Sequence, residues 1–536
     1  MKSVMQHRFS NVPDVKIPRS SFNRSHGVKT TFDSGYLVPI YVDEALPGDT
    51  FNFHLTGFAR LSTPVYPVMD NMFMDTFFFA IPIRLVWENW QKFCGERKPD
   101  PDSSIDYTIP VIDDGNNEAN ETLWDYLGLP TKVAAAFDVS ALPFRAYNLC
   151  FNEWFRDQNL QDSVTYGNVS NADDGPDDIA DYTLLRRGKR HDYFTSCLPW
   201  LQKGDAVELN LGIDAPITGI GKSTQTYAGG AQNVYETDGS GTSAFTSSGL
   251  IADTNSNRYW YAEEDPNNAG YPNLRTDLAN ATASTVNELR QAVQVQRILE
   301  RDARAGSRYT EIIESHFGVT SPDQRLQRPE YLGGGSTPII IKPIANQAGG
   351  IGLRELGELG AMGIAGFERH GFTKSFTEHC IILGLVNVRA DLTYQEGIER
   401  MWSRETRYDF YWPSLAHLGE QAVLNKEIYV DAGSVGDTSF EDVFGYQERF
   451  AEYRYKPSRI TGKLRSNDAT SLDAWHLGIE FGSQPTLDDT FIQDNPPVDR
   501  VIGVPSEPHF IFDGYVNLEC VRPMPVYSVP GHIDHF

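Results

Sequence analysis

Two strand patterns near the start of the chain restrict it to a layered β architecture. Phe51, Phe53 and Leu55 alternate with Asn52, His54 and Thr56. Strand side chains point alternately to opposite faces, so this run has one apolar and one polar side. Leu46-Pro47-Gly48-Asp49 predicts a turn before it. Met72–Ile83 differs, because Met72, Phe73, Met74, Phe77, Phe78, Phe79 and Ile81 leave neither face polar. A strand apolar on both sides belongs between two layers. Pro64 and Pro67 mark the connection between the two runs. Residues 31–86 therefore read as β, and strand patterns return at Thr337–Pro343 and Phe376–Val388.

Helices are few. Val86–Cys94, with Trp87 and Trp90, Leu123–Leu127 and Ala146–Phe155 have short helical spacing, and their aromatics are expected in the core. Thr285-Val286-Asn287-Glu288 matches a capping box. Val286, Leu289, Val293 and the Ile298/Leu299 pair then share one helical face, and Gly306 is a plausible stop. Gly349–Gly371 holds eight glycines, with neither a nucleotide-binding GxGxxG after a strand nor a P-loop, and predicts a flexible loop.

Asn210–Val286 stands apart. Its 77 residues include nine glycines, and three bases stand against eight acids. Apolar periodicity lapses there. A structureless loop of that length is rare in a compact domain unless it is functional, so the stretch reads as an inserted, solvent-projecting excursion with short strands of its own.

Charge is segregated. The chain carries a formal net −26, yet residues 1–30 carry +5 and Phe444–Ser466 carries +4, leaving −35 on the rest. In the second segment Ala451, Tyr453 and Tyr455 alternate with Glu452, Arg454 and Lys456. This predicts a half-buried strand with a packed tyrosine face and a cationic outer face, interrupted by Pro457. Such a face pairs with acidic protein surface or with phosphate. Aromatic wealth, with 30 Phe, 25 Tyr and 9 Trp, suits broad packed or intersubunit surfaces.

Catalytic chemistry is not legible. GxSxG, HExxH and zinc-type Cys/His clusters are all missing, so no catalytic or metal-ligating residue and no cofactor is assigned. In Glu378-His379-Cys380 adjacent strand residues face opposite ways, so a structural His and Cys are expected. The acidic stretch Asp162–Asp181 lacks EF-hand order and reads as a solvated loop. Five scattered cysteines without CxxC read as free thiols, with Cys94, Cys150 and Cys380 expected to be buried. No apolar leader or membrane-length segment is found, so synthesis in a cytoplasm is expected. Basic recognition helices and RNP-type aromatic motifs are missing too, so any DNA contact would be through backbone charge and stacking.

Several long segments carry a resemblance. Ala45–Glu96, Leu142–Leu160, Glu300–Ile313, Arg328–Gly335, Gly384–Val423 and the opening segment are similar, in collinear order, to the major capsid protein of the Microviridae, most closely its gokushovirus branch. The resemblance covers most of the chain outside Asn210–Val286 and Gly349–Gly371. It implies a mainly β fold: an eight-stranded antiparallel jelly roll of viral capsid type, with long interstrand loops, a few helices and one large projecting insertion. It implies a basic N-terminal arm (1–30), a single jelly-roll domain (31–536) and the insertion at 210–286 within it.

The resemblance further implies a homo-oligomer of sixty copies in a T=1 icosahedral shell around circular single-stranded DNA. The chain would be made in the host bacterial cytoplasm and reside in the virion. Lys2, Arg8, Lys16, Arg19 and Arg24 are the first candidates for DNA contact. Arg454, Lys456, Arg459, Lys463 and Arg465 are the second, since a neighbouring subunit's acids could take them instead. Asn210, Tyr227, Tyr235, Trp260 and Tyr271 are the candidate host-facing residues of the insertion, for a host-cell receptor. Scaffolding, DNA pilot and small basic DNA-binding phage proteins are the implied partners. The alternative is a secreted β-sandwich carbohydrate-binding protein or glycosidase, against which the missing leader argues. A free-standing single-strand DNA-binding protein is disfavoured by the net −26.

Overall fold

The computed structural model describes residues 18–96, 107–112, 119–135, 137–166, 174–208, 285–320, 326–345, 357, 359–430 and 439–527, with the backbone of short strands between 217 and 276. Twelve strands carry the argument: β1 (Ser20–Asn23), β2 (His26–Phe32), β3 (Val38–Ala45), β4 (Thr50–Leu61), β5 (Met72–Pro82), β6 (Glu330–Pro338), β7 (Ile340–Ala345), β8 (Leu359–Ser375), β9 (Cys380–Ala390), β10 (Glu420–Leu424), β11 (Val443–Glu448) and β12 (Phe510–Arg522). One antiparallel sheet runs β7-β8-β4-β12, and both β1 and β2 pair with β12. A second runs β6-β5-β9-β3.

The alternation in β4 decides how the sheets meet. Phe51, Phe53 and Leu55 are buried and join Met74 and Phe78 of β5, Ile382 and Val386 of β9, and Phe512 and Val516 of β12 in one core. The Phe53 ring lies 4.7 Å from Phe78 and stacks on Phe372 at 5.2 Å. Each fully buried side chain of this kind contributes about 1.5–3 kcal/mol by transfer from water. The second sheet is covered on its other face as well. Phe79 and Ile81 of β5 and Ile381, Leu383 and Leu385 of β9 pack with helix α1 (Leu142–Trp154) and with Trp87 and Trp124. The doubly apolar pattern of Met72–Ile83 thus corresponds to a strand buried on both sides, and all 11 residues of β9 are buried likewise.

Beneath α1 lies a buried ion pair. Arg145 Nε and Nη2 each donate to the Asp177 carboxylate at 2.7 Å, and the two side chains are 0% and 3% exposed. The Tyr182 hydroxyl donates to Asp177, and Arg145 also donates to the Val86 carbonyl. Asp177 belongs to the stretch expected to be a solvated loop. Its burial corrects that reading for this residue, because its partner stands 32 residues away in sequence. Cys150 and Cys380 are buried free thiols, whereas Cys94 is exposed, against expectation. The Cys380 thiol donates to the Glu378 carbonyl, and the His379 ring packs edge-on against Trp90 at 5.3 Å.

From residue 359 onward the glycine-rich stretch is strand β8, not a flexible loop. The glycines let neighbouring chains approach. A Cβ on Gly371 would stand 2.0 Å from the Phe53 carbonyl oxygen, and one on Gly363 would meet the Leu61 side chain at 2.7 Å. Gly371→Ala is expected to cost about 2–3 kcal/mol by forcing β8 off β4. A urea midpoint indistinguishable from the parent would show that the strands separate without penalty.

Contacts divide the chain into two compact units, residues 202–304 and the remainder. The smaller unit contains short antiparallel pairs, among them Gln232–Tyr235 with Thr242–Phe245 and Gly249–Ala252 with Tyr259–Ala262. Helix α2 (Val286–Ala305) opens on the expected capping box: Glu288 N–H donates to Thr285 Oγ1, and Thr285 N–H to the Glu288 carboxylate. Gly306 follows at φ +93°, a left-handed conformation that ends the helix.

Candidate interaction surfaces

The basic segment is not the extended strand its alternation predicts. Strand β11 pairs with β10 only as far as Glu448. Phe450 then adopts φ +62°, and Ala451–Tyr453 forms a 3-10 turn closed by Arg454 N–H to the Ala451 carbonyl. A left-handed non-glycine residue cannot continue a strand. Ser458–Arg459 pairs in parallel with Thr393–Tyr394, and Gly462–Leu464 is a second 3-10 turn. The turn separates the three residues expected on one packed face. Ala451 is fully buried, whereas Tyr453 and Tyr455 are 52% and 48% exposed.

The segment walls a cleft of about 200 Å³, lined also by Tyr193, Tyr394, Arg400, Arg404 and Glu427. Its floor is a compensated ionic network. Arg400 donates to Glu427 at 3.1 Å, the Tyr193 hydroxyl donates to Glu427 at 2.8 Å, and Arg404 donates to Glu452 at 3.3 Å. Burial raises the Glu427 carboxyl above its ordinary pKa, with Arg400 pulling the other way. The rim is aromatic. Arg404 lies over the Tyr453 ring at 4.5 Å, and Tyr411 meets Tyr453 edge-on at 6.3 Å. Beside it Trp402, Tyr408, Phe410 and Trp412 are all at least half exposed.

Most of the described candidate cations already have partners within the chain. Arg454 contacts Glu448, and Lys456 and Arg459 share Glu399. Arg465 donates to the Gln395 carbonyl, while Lys463 is exposed. Arg19 donates to the Gly48 carbonyl, and Arg24 makes a two-pronged pair with Asp43 at 2.5 and 3.0 Å. Ser20–Asn23 and His26–Phe32, on either side of Arg24, are strands of the first sheet, joined to β12. Lys2, Arg8, Lys16, Asn210, Tyr227 and Tyr271 lie outside the described residues. Tyr235 and Trp260 sit on short strands of the 202–304 unit.

One cationic run escaped the sequence reading. Arg186-Arg187-Gly188-Lys189-Arg190-His191 carries four bases in five residues, masked by the acids just before it. A five-residue charge window would have found it. Arg187 pairs with Asp75 at 2.8 Å, and Lys189 donates to the Phe491 carbonyl at 2.6 Å. Nearby, burial pushes the Asp494 carboxyl up to about 6, against Lys189 and Arg187. A folded pKa above the unfolded value means that the folded chain takes up a proton as pH falls through 6. This group's contribution to stability therefore rises from pH 7 to pH 5, by on the order of 1–2 kcal/mol. Urea titrations should show that increment in the parent and a flatter profile in Asp494→Asn. Equal slopes in both would assign the pH dependence elsewhere.

Two antiparallel sheets packed face to face thus carry exposed aromatic and cationic surface. The chain belongs to the family described as Capsid protein (F protein), whose model matches residues 10–532. It is 44% identical to Capsid protein VP1 of Chlamydia phage 1, covering 99% of this chain and 98% of that one. It is 45% identical to Capsid protein VP1 of Bdellovibrio phage phiMH2K over the same shares, and 34% identical to that of Spiroplasma virus 4 over 98% and 97%. The chain is a Microviridae-type structural capsid protein.

Proposed function

We propose that sixty copies of this chain build a T=1 icosahedral shell around circular single-stranded DNA, and that the eight strands β3–β9 and β12 are its jelly roll, four to each sheet. What carries the reading is a two-sheet sandwich in a chain similar along nearly its whole length to phage capsid proteins. Strands β1 and β2 extend the first sheet at β12. The exposed aromatic rim around Trp402 and Tyr453 is the contact between copies, since interfaces concentrate aromatics and arginine. Residues 210–286 are the projecting insertion that meets the host receptor. The chain is made in the host bacterial cytoplasm and acts in the virion, with scaffolding, DNA pilot and small basic DNA-binding proteins as partners.

Lys2, Arg8 and Lys16 are the leading contacts to the genome. Arg24 and the Arg454–Arg465 cations are weaker candidates, because most of them already neutralise acids of their own chain. Electron microscopy of the expressed chain should show uniform small shells, and a monodisperse small oligomer would overturn the assembly reading. Charge reversal at Lys2, Arg8 and Lys16 should lower the DNA content of shells. Unchanged content would remove those three residues from the genome-contact role.

A further inference from the structure

A smaller cavity, of about 180 Å³, shares Arg400, Arg404 and Glu427 with the cleft described above. We propose that it is a carboxylate socket, which takes one acidic side chain of a neighbouring copy. This deepens the reading that the aromatic rim is the contact between copies, and rests on it.

The groups around the cavity are unequally satisfied. Arg400, Arg404, Lys426 and Arg449 line it against Asp409 and Glu427. Both acids already have donors. Asp409 accepts from the Thr406 amide at 2.7 Å, the Thr406 hydroxyl at 3.0 Å and the Glu405 amide at 3.1 Å. The Thr406 amide above all holds this carboxyl below its usual pKa. Glu427 accepts from the Tyr193 hydroxyl, from Arg400 and from the Leu424 amide. Two of the cations are taken as well. Arg400 donates to Glu427 and to the Ala422 carbonyl at 2.7 Å, and Lys426 reaches both oxygens of Glu441 at 2.9 and 3.0 Å. They contribute field rather than contact.

Arg404 and Arg449 are different. Arg404 Nη2 donates to Glu452 at 3.3 Å, and Arg449 Nη2 to the Tyr408 carbonyl at 3.1 Å. The Nε of each is buried and has no hydrogen-bond partner among the described residues. A buried donor left unmade carries its full desolvation cost. Two incomplete guanidinium groups on one cavity call for an acceptor with several lone pairs, and a carboxylate meets that geometry.

Size selects a side chain over a nucleotide. Sites for small-molecule ligands run from roughly 300 to 1,000 Å³, so this cavity has room for an Asp or Glu side chain and little more. Position and charge select a second copy. Phe450 lines the cavity and also meets the rim, edge-on to Tyr411 at 5.2 Å and to Tyr453 at 6.3 Å. Arg404 lies over the Phe410 ring at 5.3 Å. The socket is thus continuous with the aromatic surface read as the contact between copies. Outside residues 1–30 and 444–466 the chain carries −35, so a second copy arrives with abundant carboxylates. The aromatics supply contact area, and an acid seated between the arginines fixes register.

Two variants of the full-length chain test the socket. Arg449→Met removes one incomplete guanidinium. It should raise the protein concentration needed for shell formation about tenfold, as for the loss of one charge-assisted hydrogen bond. Ser403→Glu places a carboxylate on the cavity wall from within the chain. It should raise the assembly threshold similarly, yet lift the thermal midpoint of the unassembled chain by about 1–2 °C, because the cavity then holds its anion in advance. Should Arg449→Met fail to fold, Ser403→Glu alone decides. Parental thresholds in the folded variants would overturn the socket and leave the shell reading intact. A lowered midpoint in Ser403→Glu would overturn it too, since the cavity would then reject a carboxylate. Arg449→Met shells that form at the parental threshold but hold less DNA would overturn it in favour of a genome phosphate. A parent that forms no shells would overturn the shell reading itself.

Discussion

Replacing Arg145 with alanine should destabilise the chain by about 3–5 kcal/mol, the range for breaking a buried ion pair from one side. The magnitude follows from what remains. Asp177 is 3% exposed and would lose two charge-assisted hydrogen bonds at once. Its other described donor is the Tyr182 hydroxyl, which cannot neutralise a carboxylate. The Val86 carbonyl would lose its donor as well. A domain's total stability is about 5–15 kcal/mol, so this one change removes a large share, and little soluble chain should accumulate at 37 °C. The double variant Arg145→Met/Asp177→Leu supplies the control. With both charges gone no desolvated ion is left, so it should be markedly more stable than Arg145→Ala. Urea midpoints measured at low temperature read the comparison. A double variant no better than the single one would mean that Arg145 acts through packing alone.

That pair also marks the limit of what could be read in advance. Phe51, Phe53 and Leu55 announce their own burial because a strand's period needs only neighbouring residues. The doubly apolar Met72–Ile83 run likewise implies its two covering layers. Asp177 carries no such signal. Its burial depends on Arg145, which lies on a helix far away in sequence, and nothing local distinguishes it from the solvated acids of its own stretch. Strand β8 was hidden for a related reason. Its glycines look like loop residues until Gly371 is seen against the Phe53 carbonyl of the adjacent strand. The basic segment misled in the opposite direction. Its alternation is real in sequence, but one left-handed residue, Phe450, converts it into a turn. Of the candidate contacts, the charges were legible and their partners were not. Glu399 and Glu448, which occupy Lys456 and Arg454, become visible only in the fold.

The surface beside that turn supports the second large effect: Trp402→Ala should leave the unassembled chain folded and abolish shell formation. Trp402 is 72% exposed, with Tyr408, Phe410 and Tyr411 more than half exposed around it. In the proposed shell these exposed aromatics are buried against a neighbouring copy. Within the chain Trp402 is held by its backbone, whose N–H donates to the Glu399 carbonyl, and alanine preserves that bond. Trp412 is a poorer choice, since its indole donates to the Arg407 carbonyl and its loss would disturb the local turn. The thermal midpoint of soluble Trp402→Ala should therefore match the parent. In the assembled state a buried tryptophan anchor is worth about 2–4 kcal/mol per contact. A closed shell repeats each contact at every copy, so a deficit modest for one pair becomes prohibitive for the whole. Sedimentation should show the variant as soluble small species under conditions where the parent forms shells. Shells formed at parental yield, and dissociating at the parental urea concentration, would show that Trp402 faces something other than a neighbouring copy.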